Sequence, residues 1–254
     1  MCVYGTSLQT RSRLTKPFVV RYEHRGRGFG HKGVSPMARS GIPPDEPPAQ
    51  RVVVFLDYQN VYNGARRAFG SEGDPAVFGQ VHPMKLGYSL ASRPVHGRPG
   101  PRTLSGVRIY RGRPDPRKEP GSYAAHMRQC QAWEAMGATV IPRQLRYPHD
   151  WPTSKAEEKG VDVHLAVDMI MMALRKELDV AILFSADTDL RPVLESYCDF
   201  PAEDAPKIEV AAWTSASARR QLSIPGHSVW CHRLDQAAFE PVRDRRDYNI
   251  GRRG

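Results

Sequence analysis

No apolar run in the sequence approaches the ~18–20 residues a membrane-crossing helix needs. The N-terminus, MCVYGTSLQTRSRLTK, is basic, but no apolar stretch of signal-peptide length follows it, so no secretory leader is read there. Cysteine is scarce. Cys2, Cys130, Cys198 and Cys231 stand far apart and make no CxxC pair, which fits free thiols in a reducing cytoplasm. His227, Cys231 and His232 in HSVWCH suggest zinc at first sight, but a strand there would point Cys231 and His232 to opposite faces. No internal repeat is visible. Residues 1–50 lack sustained periodicity apart from FVVRY; they are rich in Gly, Arg and Pro and end in GIPPDEPPAQ. They read as a flexible basic leader. Gly28, Gly30 and Gly33 spell GxGxxG, yet Pro36, Pro43 and Pro44 forbid the helix that a dinucleotide fingerprint requires. Met37 is an alternative start of the chain.

Charge is present, and it is uneven. The net charge is +10. Residues 1–50 hold eight Lys and Arg against three Asp and Glu, and residues 242–254 hold five against two. The ends are therefore basic and the body is nearly balanced, a distribution that suits a polyanion such as nucleic acid.

Between the ends, strands and helices alternate. The apolar run at 52–56 has buried-strand length. Residues 61–70 read as a short helix stopping near Gly70, and His82-Pro83 opens another. After a Pro/Gly/Arg loop at 93–105, residues 106–113 alternate as a strand and 122–137 form an amphipathic helix with a Gly stop. A strand at 138–145, a long helix from VDVHLAVD onward and a second fully apolar strand at 180–185 follow. LRPVLESYC reads as a helix, IEVAAW as a strand, ASARRQL as a short helix and HSVWCHRL as a last strand. The expected domain is α/β and spans 51–235, with a central, mostly parallel sheet flanked by helices, flexible basic termini, and 236–254 as a basic tail. The strands at 52–56 and 180–185 should be central neighbours, because each is apolar on both faces.

Both of those strands end in acids: Asp57 after VVVFL, and Asp187 and Asp189 in LFSADTDL. A further acid, Asp162, opens the long helix after Gly160. In doubly wound sheets ligands bind beyond the carboxyl ends of the strands, where strand order reverses. Carboxylates crowded there are costly unless a cation neutralises them. Oxygen ligands without organised His or Cys favour Mg²⁺ or Mn²⁺. For one Asp alone, a helix N-cap explains the position equally well. Three converging acids favour a metal site for phosphate chemistry. Asp168 lies about 120° round the helix from Asp162, and reads as a salt-bridge partner or outer group.

FLDYQN, KGVDVHLAVD and ILFSADTDL, in that order and spacing, resemble the NYN domain, a branch of the PIN-like nuclease superfamily that includes LabA-like bacterial proteins. The resemblance covers roughly 51–235. It implies a Rossmann-like PIN fold and a metal-dependent ribonuclease site. On it Asp57, Asp162, Asp187 and Asp189 hold Mg²⁺ or Mn²⁺, Asn60 orients Asp57 or a water, and Ser185 and Thr188 shape the loop beside the phosphate. Ala186 departs from the family, which often has Gly there.

The expected reaction is phosphodiester hydrolysis by water, without a protein nucleophile. Substrate grip is expected from Lys159, Arg111 and Arg113, with Arg108, Arg117, Lys118, Arg143 and Arg146 nearby. Tyr58, Tyr62, Tyr110 and Tyr147 are candidates for stacking on unpaired bases, although ordinary packing explains each. Single-stranded RNA is the expected partner and DNA the alternative. Helix 122–136, with Trp133 and Met136, offers a face for a homo-oligomer. Two rival readings stand beside the ribonuclease. One is a PIN-like module that binds RNA or protein without turnover. The other is a haloacid-dehalogenase-like phosphatase, disfavoured because Asp187-Thr188-Asp189 comes late in the chain and Arg191 follows where Thr or Val is usual.

Overall fold

A computed structural model describes residues 48–95, 100–201, 205–216, 218 and 220–249. Residues 1–47 of the leader, with the GxGxxG and Met37, lie outside the described residues, and its last residue, Gln50, already opens the first strand. All the described residues fall in one compact unit.

The chain runs β1 (Gln50–Asp57), α1 (Tyr58–Phe69), α2 (Pro83–Ser92), β2 (Arg102–Arg113), α3 (Pro120–Glu134), β3 (Thr139–Gln144), α4 (Val161–Leu174), β4 (Val180–Phe184), α5 (Arg191–Cys198), β5 (Lys207–Trp213), β6 (Trp230–Leu234) and α6 (Gln236–Phe239). The six strands form one sheet in the order β3-β2-β1-β4-β5-β6, and every neighbouring pair is parallel. This is the doubly wound order, and its reversal falls between β1 and β4.

The two continuous apolar strands are the two central ones. Val52 pairs with Val180 and Leu56 with Phe184. Alternation along β1 divides its side chains between two cores. Val52, Val54 and Leu56 pack with Val61, Leu86, Leu90 and Trp133 on the α1, α2 and α3 side. Val53 and Phe55 pack with Leu165, Met169 and Leu194 on the α4 and α5 side. Each such side chain removed from water contributes about 1.5–3 kcal/mol. The strands therefore have no solvent face on which to show a polar alternation.

Several elements differ from the expectation. α1 begins at Tyr58, because Asp57 ends the strand and at the same time caps the helix, its carboxylate accepting from Asn60 N–H. β2 begins at Arg102, where Gln50 pairs with it, so the loop read at 93–105 is shorter than expected. Among the described residues of ASARRQL there is no helix; instead Ser215 N–H donates to Ala218 O and Ala218 N–H to Ser215 Oγ, closing a local turn. The segment read as a C-terminal tail folds back. Phe239 and Val242 are buried in the α1-side core, and Tyr248 and Trp133 both donate to Asp244. Its basic composition hid three apolar anchors spaced too irregularly for a periodic signal. Trp133 is fully buried, so only Met136 of the helix face read as an oligomer surface is exposed.

Candidate functional site

β1 and β4 deliver their last residues side by side at the reversal of strand order. Asp57, the last residue of β1, is only 7% exposed. Its Oδ2 accepts from Asn60 Nδ2 at 2.8 Å and from Ser185 Oγ at 2.9 Å, while its Oδ1 accepts from Asn60 N–H at 3.3 Å. Asn60 reaches back because it is the third residue past the cap, one helical turn on. Ser185 reaches across because it is the first residue after β4. Its hydroxyl also accepts from Asp187 N–H at 3.0 Å, and so ties the Asp187 loop to Asp57.

Asp187 in turn caps a short 3-10 turn at Thr188–Leu190, its Oδ1 accepting from Asp189 N–H at 3.0 Å. Asp57 and Asp187 are thus both caps, yet capping leaves the second oxygen of Asp187 without a donor among the described residues. Burial raises the Asp57 carboxyl above its ordinary value, and the charge of Asp187 raises it further; the hydrogen bonds from Ser185 and Asn60 oppose both. No ion pair among the described residues neutralises Asp57 or Asp187.

Glu158 is the acid the sequence reading missed. It lies in the loop before α4, and its Oε1 accepts from Gly112 N–H at 2.6 Å. A Cβ at position 112 would fall 2.3 Å from Leu145 Cδ2 and 2.8 Å from Glu158 Cγ, so only glycine lets this loop close on the end of β2. Burial raises the Glu158 carboxyl, and the charge of Asp57 adds to the rise, which places the two acids within electrostatic reach. Two adjacent glutamates, Glu157 and Glu158, in a polar loop carry no period that would have singled out the second.

The remaining expected residues are spread round this centre. Asp162 is half-buried in the first turn of α4, behind Gly160, whose φ of 70° is the left-handed conformation that starts the helix. No hydrogen bond or ion pair engages Asp162 among the described residues. Thr188, Asp189 and Lys159 are exposed. Arg113 is half-buried. Arg111 donates to Gln129 Oε1 at 2.6 Å, and its guanidinium lies 5.1 Å from the Tyr58 ring centroid and 5.3 Å from that of Trp133. Arg108, one of the basic residues read near the site, points to the other side of the sheet, where it and the Tyr110 hydroxyl donate to Asp168 at 2.7 and 2.8 Å. Asp168 is therefore a salt-bridge partner. Tyr58 and Tyr110 are core residues, so packing accounts for both, whereas Tyr147 is half-buried, donates to Glu119 and carries the Lys118 ammonium 4.4 Å from its ring centroid. His232 is also committed elsewhere, paired at 2.7 Å with Oε2 of buried Glu209, an oxygen to which Arg102 also donates at 2.9 Å.

Next to Asn60 and Ser185, on the β4–β5 side of Asp57, is a hollow of about 370 Å³ with Phe184 and Trp213 in its wall and Arg67 and Arg220 at its rim.

The donor set tests which metal fits. Asp57, Asp187, Asp189, Asn60 and Ser185 offer oxygen only. Among the described residues no three His, Cys, Asp or Glu come together as a group that could hold a metal ion, so the expected convergence of Asp57, Asp162 and Asp187 is not found and the candidate narrows to Asp57 and Asp187. Mg²⁺ takes one or two carboxylates and keeps several waters, so an open Asp57–Asp187 pair with an unsatisfied oxygen fits it, whereas a site demanding four protein ligands does not.

In doubly wound α/β domains ligands bind at the reversal of strand order, and here that crevice carries Asp57 and Asp187. The chain belongs to the NYN domain family, whose model matches residues 51–198. The NYN domain is part of the PIN-like nuclease superfamily; its members are generally nucleases and typically use divalent metals. No curated protein matches the sequence. Among solved structures, a protein of unknown function from Vibrio parahaemolyticus is similar, at 18% identity and a TM-score of 0.42, over 64% of this chain and 81% of that one. No helix among the described residues is long and apolar enough to cross a membrane.

Proposed function

We propose that the protein is a metal-dependent ribonuclease that hydrolyses phosphodiester bonds of single-stranded RNA at the carboxyl ends of β1 and β4. The observation that carries this is the Asp57 carboxylate: buried, fixed by Asn60 and Ser185, beside Asp187, and paired with no cation among the described residues. A fold keeps such an arrangement at a cost unless an exogenous cation completes it.

Asp57 and Asp187 would hold Mg²⁺ or Mn²⁺, with Asp189 and Asp162 as the further acids of the set. The bound ion supplies Lewis acidity toward a phosphate oxygen and toward water. The chain's own residues do the positioning. Asn60 and Ser185 lock the Asp57 rotamer, which keeps both of its oxygens in fixed directions. Ser185 also fixes the backbone of Asp187, so the two carboxylates move as one unit. Lys159, Thr188 and Arg113 would take up phosphates on either side of the bond being cut, with Arg111 steadying the strand beside them; phosphate contacts position the strand without reading its sequence. An unpaired strand fits an open surface crossed by exposed cations more readily than a duplex does.

The test is cleavage of labelled single-stranded RNA, with matched DNA beside it, in Mn²⁺, Mg²⁺ or EDTA. Metal-dependent RNA cleavage, abolished in folded Asp57→Asn and Asp187→Asn, is expected. Intact RNA under all conditions would refute the reading and leave a module that binds nucleic acid without turnover.

A further inference from the structure

On the β2 side of Asp57, across α1 from the hollow already described, lies a second cavity of different character. It has two adjoining lobes, of about 200 and 350 Å³, that share Gln59, Gln80, Arg111, Gln129 and Glu158 in their walls. Tyr62 borders the first lobe and His126 the second.

Its lining is unusual in what it leaves unpaired. Gln80 Oε1, Arg111 Nε, His126 Nδ1 and Gln129 Nε2 are all buried with no hydrogen-bond partner, and they are four of the seven such atoms among the described residues. Gln129 and His126 are themselves only 6% and 3% exposed. Folds rarely leave buried polar atoms unpaired, and a local group of them marks a missing partner. The side chains are also held in place. Arg111 is flanked by the Tyr58 and Trp133 rings and bonded to Gln129, and it has no carboxylate partner among the described residues. Glu158 is anchored by Gly112 N–H through one oxygen, and its other oxygen has no donor among the described residues.

The chemistry of the missing partner follows from this inventory. One guanidinium and one carboxylate balance, and burial beside Arg111 and Arg113 lowers His126 to about 3, so the imidazole is neutral. The lining is thus not built for a bare anion. Its walls carry donors at Arg111 and Gln129 and acceptors at Gln80 and Glu158. A planar, neutral ligand with acceptors on one edge and donors on the next satisfies it. Among nucleobases, guanine presents O6 and N7 as acceptors and its N2 amino group as donor, and arginine is its commonest specific partner. Guanine alone sets two adjacent acceptors, O6 and N7, beside two adjacent donors, N1–H and the N2 amino group, the pair of edges that one guanidinium and one carboxylate match.

We propose that this cavity is a guanine-binding subsite that fixes where the substrate strand is cut relative to a G. The proposal rests on the nuclease reading for its role in cleavage, and on the cavity alone for binding. The cavity adjoins the acids through Glu158, which lines both lobes and feels the charge of Asp57, so a base seated there would lie beside the strand being cut.

Two measurements on the full chain test it. The first is binding of guanosine, adenosine, cytidine and uridine 5′-monophosphates in EDTA, read by thermal shift and by NMR titration. The guanine nucleotide should bind about tenfold to a hundredfold more tightly than the others, as one good bidentate pair provides. That preference should vanish in Gln80→Leu and in Glu158→Gln. Gln80→Leu removes a buried unpaired acceptor, so it should melt no lower than the parent, which separates lost recognition from lost folding. Equal binding of all four nucleotides, no binding of any, or a preference that survives both variants would overturn the proposal. The second is mapping of cut sites on RNAs with a single G moved through an A/U background. Cuts at a constant offset from the G support it, and cuts independent of the G overturn it. Selective guanine binding in EDTA with no cleavage at all would instead defeat the nuclease reading and leave the subsite standing.

Discussion

Ser185→Ala is the sharpest test of the site as a physical object, because it needs neither substrate nor metal. The Ser185 hydroxyl is buried and makes two bonds, donating to Asp57 Oδ2 at 2.9 Å and accepting from Asp187 N–H at 3.0 Å. A hydrogen bond to a charged acceptor contributes about 1.5–3 kcal/mol and one between neutral groups about 0.5–1.5. Asp187 is half-exposed, so water replaces part of the second bond; Asp57 is buried, so little replaces the first. The expected loss is about 2–4 kcal/mol. At about 2–4 °C per kcal/mol for a domain of this size, Tm should fall by about 5–15 °C in metal-free buffer. The assay is urea and thermal unfolding of the parent, Ser185→Ala, Asp57→Asn and the double variant. In the double-mutant cycle the two changes should be coupled by about 1–3 kcal/mol, because they share one bond. A loss under about 0.5 kcal/mol, the range of an ordinary surface change, or additive effects in the cycle, would refute the argument that Ser185 holds Asp57.

Three further outcomes follow from the same geometry. Mn²⁺ or Mg²⁺ binds only the folded site, so at a hundred times its Kd it should stabilise the parent by about 2.7 kcal/mol; Asp57→Asn should lose this shift, which calorimetry reads directly. Asp168→Asn should leave metal affinity unchanged while costing about 1–3 kcal/mol at pH 7, since Asp168 is bound to Arg108 and Tyr110. Although burial opposes them, those bonds hold the Asp168 carboxyl below its usual range, so its contribution is present above the unfolded pKa of about 3.9 and is lost as pH falls through the lower folded value; the gap between parent and variant should therefore close in acid unfolding. Glu209→Gln leaves Arg102 buried without its counter-charge, and should cost about 3–5 kcal/mol by urea unfolding; a neutral result would mean that the Arg102–Glu209–His232 group is not a buried ion cluster.

The sheet was legible in the sequence because its signals are local. Five consecutive apolar residues in each of β1 and β4 require burial on both faces, and such strands belong at the centre of a parallel sheet. Asp57 and Asp187 follow as the residues at which those runs stop. The folded C-terminal segment was not legible. Phe239, Val242 and Tyr248 sit among Arg and Asp residues with no regular period, and composition outweighed them. Arg108 and Arg111, three residues apart, read as one basic cluster, whereas strand alternation together with the positions of α3 and α4 sends one to Asp168 and the other to Tyr58 and Gln129.

By itself, then, the sequence determined the alternation of elements, the parallel sheet, and the acids at the ends of its central strands, since each depends on neighbours a few residues away. The tertiary structure alone decided which of those acids meet. Ser185 finds Asp57 across 128 positions of chain only because β4 lies against β1, and Glu158 comes near Asp57 only because Gly112 leaves room for its loop. Contacts of that kind depend on strand order and on the volume left at one point in space, quantities that no local period records.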